Sequence, residues 1–186
     1  PAYFFLDEEG QIDTISTLYH EVSHQLLFES VGGNSYERNE GNYWVFEGLG
    51  TFFETVTTRP DGSMEVGGFV GPRIDVAVKR FTGDQTLIPS GLFVGLPKQI
   101  FNLPMQIYAN YQQAMAFTIF LMRWNDGIYR EAFLTYVRDA VKGIIRHGSA
   151  RTLQDRLDVP YDTIDSQFLD FLKTRGEVRR KAQPES

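Results

Sequence analysis

The chain has 186 residues, a net charge of -6 and no cysteine. That length suits one domain with a real core. The acidic balance argues against nucleic acid and anionic membranes as main partners, and without cysteine there can be neither a disulfide framework nor a thiolate metal site.

No run of residues approaches the roughly 20 apolar positions of a membrane span. The chain starts at Pro1 and reads as a fragment of a longer one, with any targeting signal outside it. No repeat, low-complexity block or convincing linker divides it. It is treated as one domain over 1–186, with a part carrying the candidate site at 1–104, a helical part at 105–175 and a charged tail at 176–186 expected to fray.

Residues 2–6, AYFFL, read as a short strand. A helix is predicted from about Asp13, where Ile15, Leu18, Val22 and Leu26 recur at helical spacing with Tyr19 beside them. Gly32, Gly33 and Asn34 would end it. A second helix is expected from Tyr43 to about Thr58, with Val45, Leu49, Phe52 and Val56 facing the core. The Gly- and Pro-rich span 60–104 is the least readable, with short helices around Arg73–Phe81 and Pro97–Asn102. Further helices are predicted at 106–125, 128–142, 150–157 and 162–175. The fold class is mainly α (α+β), with a small N-terminal sheet and a helical C-terminal half.

The first helix carries His20-Glu21-Val22-Ser23-His24. Residues at i and i+4 lie one turn apart on one face, so both imidazoles can aim at one point, as a tetrahedral zinc ion requires of two ligands. Glu21, about 100° further round, can act on water at the metal without coordinating it. The bland alternative is a solvated or half-buried face of His20, Ser23, His24 and Leu27. A catalytic zinc wants a third protein ligand.

The second helix offers one. Glu47, Gly50, Thr51 and Glu54 share a face at spacings of three and four. Gly50 costs roughly 1 kcal/mol against alanine, which close approach to the histidine helix would offset. Glu47 can then reach the metal, and Glu54 can accept a hydrogen bond from a ligand imidazole. The bland alternative leaves both glutamates in solvent.

His20-Glu21-x-x-His24, followed 23 positions later by Glu47 within Trp44-x-x-Glu47-Gly48-x-Gly50-x-x-x-Glu54, resembles the gluzincin metallopeptidases, the group of thermolysin and the zinc aminopeptidases. It is more closely similar to bacterial proteins with a peptidase-MA-like domain. Those families usually carry Ala at the position of Gly50. The stretch Asn110–Met122 resembles one that such families place after their zinc ligands.

The resemblance implies a zincin-like fold with His20, His24 and Glu47 holding one zinc ion. It implies Glu21 as general base, Glu54 as orienter of a ligand histidine, and Tyr111, or Tyr108 one turn earlier, as hydrogen-bond donor to the oxyanion. A core aromatic is the competing reading of Tyr111. A peptide or protein substrate follows, cut internally, because no Gly-x-Met-Glu-Asn element for a substrate amine is present. An extracytoplasmic location is favoured by the resemblance alone.

Cobalt or manganese would suit the same donors in vitro. His147, in a loop or at a helix end, is not expected to be a ligand. Two alternatives remain: a zincin scaffold kept for binding or assembly, and a regulatory metal site on a helical domain.

Overall fold

The computed structural model describes residues 14–30, 42–68, 72–84, 87–145 and 153–182. The expected strand at 2–6, the glycine stop at 32–34 and His147 lie outside them. The described residues are mainly helical, with one small sheet. The longer helices are α1 (Thr14–Ser30), α2 (Tyr43–Phe53), α3 (Pro72–Lys79), α6 (Ile107–Arg123), α7 (Arg130–Val141) and α9 (Tyr161–Ala182). Single-turn α4 (Ser90–Phe93), α5 (Lys98–Phe101) and short α8 (Leu153–Leu157) connect them.

At the centre stands α6. Its stretch Gln112–Leu121 is buried all round, the pattern of a helix with neighbours on every side. Here α2 packs closely, because both partners are small: a Cβ on Gly48 would come within 2.5 Å of Thr118 Oγ1 and 3.0 Å of the Ala114 carbonyl oxygen. Trp44, fully buried, lies against Phe93, Phe117, Phe133 and Tyr136 with ring centres 5.4–6.2 Å apart. α9 closes the far side by setting Phe168 and Phe171 on Phe120.

Two side chains of α6 tie the irregular 87–101 segment to this core. Gln113 accepts from the backbone N–H of Ile88 at 3.0 Å and donates to its carbonyl at 2.6 Å. Asn110 donates to the Phe101 carbonyl at 2.7 Å. Phe101 is thereby wedged between Tyr43 and Tyr111, 5.2 and 5.5 Å from their rings.

Several expectations change. α2 ends at Phe53, not near Thr58. Thr57 and Thr58 instead form β1, paired antiparallel with β2 (Met64–Glu65), since a β-branched run before an Asp-Gly turn prefers strand to helix. α4 was not expected. α9 continues into the tail as far as Ala182.

The apolar stripe of α1 does not turn inward. Ile15, Leu18, Val22 and Leu26 are exposed, Ile15 by 65% and Leu26 by 62%. The face packed on α2 carries buried His20 and Ser23 and half-buried His24 and Leu27. Among the described residues, no helix is long and apolar enough to cross a membrane.

Candidate metal centre

α1 sets His20 and His24 one turn apart, and their Nε2 atoms lie 3.0 Å from each other. From α2, Glu47 Oε2 lies 3.3 Å from His20 Nε2 and 3.7 Å from His24 Nε2. A tetrahedral ion with bonds of 2.0–2.1 Å has donor separations of about 3.3 Å, and the three distances bracket that value. The residues thus fit a divalent ion.

Gly50 makes the convergence possible. A Cβ there would sit 2.7 Å from two atoms of the His20 ring, so the helix meets the imidazole with bare backbone. The solvated alternative for Glu47 fails as well, because it is 5% exposed. Its Oε2 is buried without a well-formed hydrogen bond and faces the two imidazoles.

Glu54, just past the end of α2, is half-buried, and its Oε1 accepts a hydrogen bond from His20 Nδ1 at 2.8 Å. That bond directs the Nε2 of His20 toward Glu47 and His24. Burial alone would pull the His20 imidazole down, but the carboxylates of Glu47 and Glu54 outweigh it and push its pKa up to about 9. Burial likewise opposes ionisation of Glu47, yet His20, His24 and Tyr43 hold its carboxyl well below the usual range. Both carboxylates thus favour the imidazolium form of His20.

Two phenols border this cluster. Tyr111 on α6 is half-buried, its ring nearly parallel to that of His20 with centres 6.4 Å apart. Burial and the Glu47 charge push its pKa far above the ordinary tyrosine value. Tyr43, one turn before Glu47 on α2, is pushed up to about 12 by burial and by Glu47. Both remain protonated donors at neutral pH. Tyr108 is 74% exposed, so the structure brings Tyr111, not Tyr108, to the cluster. Glu21 is exposed on α1, next to His20 in sequence.

Two residues at the site were not expected from the sequence. Tyr43 carried a usable signal, since it lies four positions before Glu47 on one helix face. Arg73 carried none. It donates from Nε to Glu54 Oε2 at 2.9 Å, and it comes from the span where periodicity is weakest.

Two helices presenting two imidazoles and a carboxylate, with a further carboxylate behind one imidazole, define a candidate three-ligand metal centre. The chain belongs to the family described as a protein of unknown function (DUF1570), whose sequence profile matches residues 14–143. That range includes every candidate residue named above except His147. No curated protein matches the chain, and no solved structure does.

Proposed function

We propose that this protein is a zinc-dependent metallopeptidase of the gluzincin type that cuts internal peptide bonds. The observation that carries the reading is the meeting of His20, His24 and Glu47, with ligating atoms all within 4.8 Å of one another, backed by Glu54 on His20 Nδ1. One zinc ion would be held by those three residues. Bound there, zinc would lower the pKa of water to about 7 and polarise a substrate carbonyl.

The remaining work falls to the chain's own groups. Glu21 accepts the proton of the attacking water and passes it to the departing amine. Its exposed position leaves it open to substrate on the solvent side of α1. Tyr111 holds its phenolic proton and donates to the carbonyl oxygen as negative charge develops there. Glu54 keeps His20 in the tautomer whose Nε2 is a free donor atom.

Elemental analysis of the purified protein should find about one zinc per chain, lost on changing His20, His24 or Glu47. Glu21→Gln should keep the metal and lose hydrolysis of a peptide library by about 10²–10⁴-fold. Full activity in Glu21→Gln would sink the mechanism. A wild type that binds no zinc at saturation would sink the site. Reproducible zinc binding without any chelator-sensitive cleavage would select the alternative, a zincin scaffold used for binding or assembly.

A further inference from the structure

Arg73, near the start of α3, touches two members of the candidate centre. Its Nε donates to Glu54 Oε2 at 2.9 Å and a terminal nitrogen donates to Glu54 Oε1 at 3.4 Å. Its guanidinium carbon stands 5.9 Å from the centre of the Tyr111 ring. Glu54 Oε1 also accepts from His20 Nδ1, and His20 lies parallel to Tyr111. The contacts form a closed circuit: His20 from α1, Glu54 from the end of α2, Arg73 from α3, Tyr111 from α6.

The position of Glu54 explains the need for a cation. A carboxylate at a helix C-terminus meets the negative end of the helix dipole, and this side chain is only 14% exposed. Its oxygens have several lone pairs to satisfy. The His20 Nδ1–H takes one and the planar fork of Arg73 reaches both oxygens, which fixes the rotation of the carboxylate plane. A lysine, as a point charge, would not impose that plane.

The geometry points to Arg73 as a positioning residue: through Glu54 it sets the ring plane of His20, and so how tightly His20, His24 and Glu47 hold a divalent cation. This rests on the metal-centre reading above. The sign of the effect separates positioning from plain charge. By charge alone a guanidinium repels a divalent cation, so removing it would tighten binding. By positioning, removing it loosens binding.

The test measures zinc affinity of the full chain by competition with a chromophoric chelator, and the visible absorption of its cobalt form. Outer partners of metal ligands are typically worth 10–100-fold in affinity, so Glu54→Gln should lose about that much and Arg73→Ala, one step further out, about 5–10-fold. If Arg73 acts through Glu54, the double variant should bind within about twofold of Glu54→Gln alone. The cobalt spectrum should change in both single variants in the same direction.

Arg73→Ala at wild-type or tighter affinity overturns the inference, as do losses that simply multiply in the double variant. Should Arg73→Ala fail to fold, Arg73→Lys carries the test. It keeps the charge and loses the fork, so it should weaken zinc about threefold or more, and wild-type affinity overturns the inference. A wild type that binds neither zinc nor cobalt overturns the metal-centre reading and this inference with it, whereas a zinc-binding wild type with unresponsive Arg73 variants overturns this inference alone.

Discussion

Helix α2 lies between two neighbours of opposite chemistry. Toward α6 it presents Trp44 and Gly48 to a dry layer of Phe117, Thr118 and Ala114. Toward α1 it presents Gly50 and Glu47 to His20 and His24. The first seam is stable by area and close packing alone. The second buries charges that compensate one another, and breaking such a set costs more than the set itself is worth. α1 adds little apolar burial of its own, since Ile15, Leu18, Val22 and Leu26 face outward. The lesson is a division of labour within one helix: one face holds the fold, and the other spends stability on a site.

The largest expected effect lies in the dry seam. Trp44→Ala should destabilise the protein by about 3–5 kcal/mol, read from urea unfolding. The loss should be the same with chelator or with zinc, and a loss that depended on metal would dissolve the distinction between the seams.

Gly50→Ala should act on the other side. The new methyl must displace the His20 ring, at a cost of about 1–3 kcal/mol as overpacking. Zinc affinity should fall while the near-ultraviolet dichroism of the Trp44 cluster stays unchanged. Unaltered zinc affinity would show that the bare backbone of Gly50 does not set the ligand geometry.

The smallest effect is a pH dependence confined to the polar seam. The folded-state pKa of His20, at about 9, stands above its ordinary 6.5. Its stabilisation is therefore fully present below pH 6.5 and is lost as pH rises through about 9. Glu47 shifts the opposite way, so its contribution is present above the ordinary carboxyl pKa near 4.5 and is lost as pH falls below it. Chelator-treated protein should lose on the order of 1–2 kcal/mol between pH 6.5 and 9. Melting curves should show the decline flattened in His20→Ala and retained in Trp44→Ala. Zinc binding must expel the His20 proton, so affinity should climb over the same range.

The candidate site was more legible in the sequence than the packing around it. His20 and His24 were readable because a helix fixes i and i+4 on one face whatever surrounds it. Glu47 and Glu54 were readable because Gly50, a poor helix residue, advertised a close neighbour. The apolar spacing of Ile15, Leu18, Val22 and Leu26 marked the helix but not the face that turns inward. Periodicity tells which residues share a side of a helix, not what that side meets. The β1–β2 pair and α4 were missed for a related reason: two-residue strands and single turns leave almost no periodic trace.

By itself, then, the sequence determined the donor types, their spacing along α1 and α2, and the mainly helical class, because all of these follow from local backbone geometry. The tertiary structure decided which face of α1 turns inward and that Tyr111, not Tyr108, stacks on His20. It also decided that Arg73 anchors Glu54. Those choices join segments tens of residues apart, and they are made by the summed packing of α2, α3 and α6, which no local pattern encodes.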